Sequence, residues 1–202
     1  MLRSKTVLRG VVLAVALTAV VVTFTGCGGG GGGAVASVTG TVLDDSTLVP
    51  LASAQVRVGD QTVTTGADGS FSFPSVAVAY QTITVSRTGY DLLTLNTNLF
   101  QGANDLGALY LSQVQIPGYG HISGMVTDGA SPASGAMVVA GGKTAYSKPS
   151  GEYSIRNVAP GNQSASASLG AKTALGVVTV TAGSTASLNL SLSVGPPPPP
   201  VL

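Results

Sequence analysis

Apolar and hydroxylated residues alternate with a period of two along most of the chain. Phe71 and Phe73 flank Ser72, Ile83 and Val85 flank Thr84, and Leu188, Leu190 and Leu192 alternate with Asn189 and Ser191. That period sends apolar side chains to one face of a strand and hydroxyls to the other. Turn signals separate the runs: Gly59-Asp60, Ala67-Asp68-Gly69, Thr88-Gly89, Gly141-Gly142, Ser150-Gly151 and Pro160-Gly161. The pattern predicts strands at 38–43, 54–58, 62–65, 70–73, 81–86, 92–99 and 106–111, then at 121–127, 136–140, 143–147, 152–155, 163–169, 173–180 and 186–192. Short strands between turns imply an all-β fold of antiparallel sandwiches, seven strands in each of two copies.

The two copies are visible as an internal repeat. Val38-Thr39-Gly40-Thr41-Val42-Leu43-Asp44 is answered by Ile122-Ser123-Gly124-Met125-Val126-Thr127-Asp128. Pro50 to Val56 pairs with Pro132 to Val138, Gly69 to Phe73 with Gly151 to Ile155, and Val76 with Val158, all 82 positions apart. Such ordered matches indicate duplication of one domain of about eighty residues. Phe71, Phe73, Tyr153 and Ile155 are expected in the cores, Gly40 and Gly124 where a neighbouring side chain crosses a strand closely, and Asp68-Gly69 at a hairpin.

These residues also carry a resemblance. The order Gly-x-Val-x-Asp, Pro-x-x-x-Ala-x-Val, Asp-Gly-x-Phe-x-Phe and Gly-Tyr is similar to that of the carboxypeptidase regulatory-like, or transthyretin-like, sandwich. The first copy holds it in Gly40, Val42, Asp44, Pro50, Ala54, Val56, Asp68, Gly69, Phe71, Phe73, Gly89 and Tyr90. The second departs from it, with Ser150 in place of Asp and no Gly-Tyr at the matching position. The resemblance implies Greek-key, prealbumin-like sandwiches that serve as packing modules without catalysis of their own.

Outside residues 37–194 the composition changes. Arg3, Lys5 and Arg9 precede a charge-free apolar run from Val11 to Phe24. The run is short for a bilayer of roughly 30 Å and fits a secretory leader, residues 1–26. Phe24-Thr25-Gly26-Cys27 resembles the lipobox of bacterial lipoproteins, with Phe where such boxes usually have Leu. The resemblance makes Cys27 the acylated first residue of a lipid-anchored, extracytoplasmic cell-envelope protein. An ordinary signal cut elsewhere and an uncut anchor are the other readings. Residues 27–36, with six consecutive glycines, form a tether of roughly 17 Å. Residues 37–115 and 116–194 are the two sandwiches, and 195–202, with five prolines, an extended tail.

Composition narrows the chemistry. The chain has 202 residues, 8 % of them charged, with a net charge of +1, one Cys, one His and no Trp. Removing the leader takes three of nine basic residues and leaves six against eight acidic, a net charge of −2. Such a surface does not neutralise a run of phosphates, so nucleic acid is not an expected partner. One Cys forbids an internal disulfide, and one His with one Cys supplies no zinc site of the usual type. No cofactor is expected.

Candidate ligand-contact residues are few. His121 follows Tyr119-Gly120 at the start of the second copy, where it reads as a surface or packing residue sooner than as a base. Tyr119 is the aromatic best placed for a carbohydrate, or for packing the two copies together. Asp44 and Asp45 with nearby carbonyls are the oxygen set nearest to a calcium loop, although the chain has no Asp-x-Asp-x-Asp run. The expectation is a non-enzymatic, membrane-anchored lipoprotein with a structural or protein-interaction role. A glycan- or calcium-dependent adhesion module is the alternative.

Overall fold

The computed structural model describes residues 34–194. The leader, Cys27, most of the tether and the proline tail lie outside the described residues. Sixteen strands run in chain order: β1 Val35–Asp44, β2 Gln55–Val58, β3 Gln61–Thr64, β4 Ser70–Ala77, β5 Tyr80–Ser86, β6 Leu93–Asn98 and β7 Gly102–Leu111 make the first sandwich. β8 Gly120–Asp128, β9 Ser131–Pro132, β10 Met137–Ala140, β11 Lys143–Tyr146, β12 Glu152–Val158, β13 Gly161–Leu169, β14 Lys172–Val180, β15 Thr185–Ser187 and β16 Leu190–Val194 make the second. Both fall within one compact unit.

In the first sandwich a β4-β1-β7 sheet packs on a β3-β2-β5-β6 sheet. Ala36, Val38 and Val42 of β1 meet Val56, Val58, Ile83 and Val85 from the facing sheet, all but fully buried, with Phe71 and Phe73 set edge to face 6.2 Å apart. The second sandwich repeats the plan around Tyr153, Ile155, Ile122 and Val126. Its core is built more from alanine, including Ala133, Ala136, Ala140, Ala145, Ala165, Ala167 and Ala174. There the two layers also join, because β14 reaches β16 at Lys172↔Val194 and Thr173↔Ser193. The chain is all-β in two tandem sandwiches, as the period of two predicts.

Three details differ from the sequence reading. Pairing is antiparallel except where the first and last strands of each sandwich meet: β1 runs parallel to β7, and β8 to β15 and β16. The strand expected at 186–192 is broken in two: the Leu188 N–H makes the last bond of the first piece, to the Ser123 carbonyl at 2.9 Å, and the Asn189 side chain then accepts from the Met125 N–H at 2.9 Å in place of a backbone carbonyl. Asp68-Gly69 closes no hairpin. β3 and β4 belong to different sheets, and the turn carries the chain between them.

That turn explains its glycine. Gly69 has φ +73°, and its carbonyl accepts from the Val42 N–H at 2.9 Å. A Cβ there would lie 2.5 Å from the Val42 oxygen. Gly151 repeats the arrangement against Val126, with φ +83° and the corresponding bond at 2.8 Å. A buried hydroxyl repeats as well. Thr65 Oγ1 accepts from the Ala54 N–H at 2.9 Å and donates to the Leu51 carbonyl at 2.6 Å. Ser147 Oγ, 82 positions on, does the same between Ala136 and Ala133, at 2.8 and 2.5 Å. Each hydroxyl pins the segment entering β2 or β10 to the end of the neighbouring strand, with both of its hydrogen-bonding functions satisfied away from water.

Candidate functional site

The polar side chains of highest chemical interest gather at the junction of the two sandwiches. Asp44 occupies an inward position at the end of β1, where the apolar core stops, and it is 3 % exposed. Its Oδ1 accepts from the N–H groups of Ser46 and Thr47 at 2.9 and 2.8 Å. Its Oδ2 accepts from the Tyr90 hydroxyl at 2.8 Å and from Gln113 Nε2 at 3.1 Å. The Asp and the Tyr of the sequence pattern, 46 residues apart, are thus bonded to each other. In the second sandwich Lys172 stands where Tyr90 stands in the first, and its Nζ meets Asp128 Oδ2 at 2.5 Å. The missing Gly-Tyr is replaced by an ion pair.

Four donors on one carboxylate leave it turned toward N–H and O–H groups, which do not attract a cation. Among the described residues, no group of three His, Cys, Asp or Glu side chains converges as a metal site. Burial by itself raises the Asp44 pKa, but the bonds from Thr47, Gln113, Tyr90 and Ser46 outweigh it and hold the group below the ordinary 3.8. A depressed carboxyl pKa stabilises the fold above the unfolded value, and this contribution is lost as pH falls from about 3.8 through the folded value. The urea midpoint is therefore expected to drop between about pH 5 and pH 2, and less steeply in Asp44→Asn. Equal pH dependence in the variant would show that Asp44 has no part in it.

Asp45 turns toward the second sandwich. It pairs with Lys148 Nζ and accepts from Ser112 Oγ at 3.3 Å. Burial raises its pKa, while Lys148, the nearby Ser154 hydroxyl and Ser112 lower it to a net position below the ordinary value. Lys148 also lies over the Tyr110 ring, 4.6 Å from its centroid. Beside this pair, the Ser46 carbonyl accepts from the Tyr146 N–H at 2.7 Å, and Arg156 Nη1 donates to Asp91 Oδ2 at 2.9 Å. Exposed ion pairs contribute little, but the half-buried Asp45–Lys148 pair is screened less.

The segment joining the sandwiches is clamped by a residue that the sequence reading did not single out. Asn157 is 5 % exposed with φ +59°. Its Oδ1 accepts from the Ile116 N–H at 2.7 Å, and its Nδ2 donates to the Val114 carbonyl at 3.1 Å. It sits in a break of register between Ile155 and Val158 that bends β12 and aims the amide at the linker. An Asn just past the strand read at 152–155 was the available signal, because Asn tolerates the left-handed region.

Tyr119 is 41 % exposed, and its carbonyl accepts from Gln115 Nε2 and the Gly183 N–H, both at 2.8 Å. His121 is half-buried, with Nε2 3.0 Å from Ser154 Oγ and Nδ1 3.4 Å from Thr185 Oγ1. Burial first, and then the nearby Arg156, push its pKa below 6.5 against the pull of Asp45. It is a neutral, hydrogen-bonded packing residue at neutral pH. A cleft of about 180 Å³ opens at the same junction, and neither Tyr119 nor His121 lines it. Among the described residues no helix is long and apolar enough to cross a membrane.

A family model described as the carboxypeptidase regulatory-like domain matches residues 37–105 and again residues 121–193. No curated protein sequence matches the chain significantly. Among solved structures, it is similar to a cohesin–X-dockerin complex from Acetivibrio cellulolyticus (16 % identity, TM-score 0.34, 38 % of this chain and 56 % of that one). It is also similar to the TIE protein of Bacillus anthracis (13 %, TM-score 0.31, 79 % and 34 %). A third similarity is to a minor pilin of Streptococcus agalactiae (11 %, TM-score 0.32, 82 % and 99 %). The match therefore spans about half of the first of these chains and a third of the second.

Proposed function

Since the chain belongs to the carboxypeptidase regulatory-like domain family by its two matches, we propose that it is a non-enzymatic module of two sandwiches held out from a membrane, with a structural or protein-interaction role. The observation that carries this reading is how the reactive side chains at the junction are used. Asp44, Asp45, Lys148 and Asn157 are engaged in bonds that hold strand ends, linker and the two sandwiches together. His121 is packed between two hydroxyls without a carboxylate on either ring nitrogen. A general base needs a reacting group within hydrogen-bond reach and room for a substrate beside it. Groups committed to bonds of this kind serve cohesion instead. Tyr119, exposed at the same junction, is the side chain we assign to contact with a partner, with His121 on the strand that follows it.

The anchoring half of the proposal rests on the sequence. Residues 1–26 are the leader, Cys27 carries the lipid, and 27–36 hold the sandwiches of 37–115 and 116–194 clear of the bilayer, with 195–202 as a solvated tail. Several acyl chains on one residue bind a membrane far more firmly than one. Mass spectrometry of the membrane fraction is expected to find an acylated Cys27 as the first residue. An unmodified thiol, or a chain still bearing its leader, overturns the anchor and leaves the module reading to stand on the junction.

A further inference from the structure

β14 has a long open edge. On one side it pairs with β13 over its whole length, from Lys172 to Val180, with no break of register. On the other side β16 reaches it only at Lys172 and Thr173, and no other backbone bond among the described residues meets residues 174–180 there. A row of unpaired N–H and C=O groups is a template for another strand, so edges are usually blunted by brevity, proline, charge or a bulge. Other edges of this chain follow that rule: β3 and β11 are four residues long, β4 carries Pro74, and β7 and β12 carry Asp105 and Arg156 and break register. Beyond Lys172, which is paired with Asp128, β14 has none of these devices. No charged residue occurs from Thr173 to Val194.

Its outward face is apolar as well, with Leu175 85 % and Val177 67 % exposed. The matching strand of the first sandwich is β6. Leu175 stands opposite Ser166 of β13 as Thr94 stands opposite Thr84 of β5, and Val177 matches Asn96 in the same way. The first copy is polar at both places, so the fold itself does not require the exposed apolar pair. The outward residues also read alike in both directions about Gly176: Thr173, Leu175, Val177, Thr179, which is hydroxyl, aliphatic, aliphatic, hydroxyl. Set antiparallel against itself about that glycine, the strand brings Leu175 opposite Val177 of the second copy and Thr173 opposite Thr179 of the second copy. Aliphatic and Thr–Thr pairs of this kind stabilise antiparallel ladders. An uncharged edge also brings no like charges together when it meets its own copy.

We propose that two copies of the chain pair antiparallel along residues 173–179, with the two-fold axis at Gly176, so that their β11-β10-β13-β14 sheets become one. A two-fold interface uses the same patch twice, which a self-matching strand supplies. A Cβ on Gly176 would lie 3.1 Å from both Leu188 and Leu190, so these two side chains back the edge from inside the sandwich. The contact is small and of the weak, transient class. It requires neither the lipid anchor nor Tyr119.

Sedimentation equilibrium of the full chain in density-matched detergent, up to about 1 mM protomer, is expected to show a concentration-dependent dimer. Leu175→Lys combined with Val177→Lys places like charges opposite each other twice and is expected to weaken the dimer at least about tenfold. Leu175→Lys combined with Val177→Glu places opposite charges at the same two pairs and is expected to return the affinity to within about threefold of the wild type. Both side chains face water in the single copy, so the melting temperature of either variant is expected to stay close to that of the wild type. Thr94→Lys combined with Asn96→Lys, on the matching strand, is expected to leave association unchanged. A wild type that stays monomeric, as it would if the proline tail covered the edge, overturns the proposal. So does a first variant that dimerises like the wild type, or a second that dimerises no better than the first.

Discussion

Gly124→Ala is expected to destabilise the second sandwich by about 3 kcal/mol or more and to lower its melting temperature by roughly 12 °C or more. A Cβ on Gly124 would lie 1.8 Å from the Leu188 carbonyl oxygen and 2.6 Å from its carbon. Both are backbone atoms and cannot rotate away. The same carbonyl accepts the Tyr153 hydroxyl at 2.7 Å, so displacing it also strands a buried phenol. Tyr153 is held there as the neutral acid, its pKa raised by burial to about 12. The chain between β15 and β16 must move or the bond must break. Thermal unfolding followed by circular dichroism measures the shift. A melting temperature equal to that of the wild type would mean that the last strand does not cross β8 at this point.

The second large effect belongs to the first sandwich. Phe71→Ala is expected to cost about 3–5 kcal/mol, the usual range for removing a buried aromatic ring. Phe71 is 5 % exposed and rests on Gly40, where a Cβ would come 2.7 Å from the ring Cζ. Gly40→Ala alone therefore overpacks the site, while Phe71→Ala alone leaves a void. The double variant places the new methyl in the vacated space, and its loss is expected to be smaller than the sum of the single losses. Urea denaturation of all four proteins gives the coupling. Strict additivity would show that the ring and the glycine do not touch.

These two positions show how far the repeat could be read from the chain alone. Gly40 and Gly124 match in sequence, and both are places of close approach. What approaches differs: an aromatic ring at the first, as expected, and a backbone carbonyl at the second. The difference traces to Tyr153 in place of Phe71, whose added hydroxyl needs an acceptor and finds one in the break between β15 and β16. Alternation made the strands and the buried faces legible, because a period of two is a local property. The crossing at Gly69 was not, since an Asp-Gly turn has the same local chemistry whether it joins neighbours in one sheet or passes between two.

The junction was the least legible part. His121 stood out as the chain's one histidine, Tyr119 as the aromatic beside it at the junction, and Asp44 and Asp45 because adjacent acids suggest a cation. Their partners come from distant positions: Tyr90 and Gln113 for Asp44, Lys148 for Asp45. Only the fold decides that a carboxylate meets donors instead of a metal. Asn157, the clamp on the linker, drew no notice because the strand was read as ending at 155, whereas β12 runs on to Val158. The cleft beside Arg156 is likewise assembled from four separate segments.

The parallel pairing of first and last strands bears on how the protein takes load. Because β1 and β7 run side by side in the same direction, the chain enters that sheet at one end and leaves it at the other. β8 and β16 repeat this in the second sandwich. Tension applied between the start of β1 and a point beyond β16 would pull the strands of each pair past each other lengthwise. The interstrand bonds of each pair would then be loaded together in shear, where an antiparallel terminal pair would open one bond at a time like a zip. Resistance to stretching is thus written into the order of the strands.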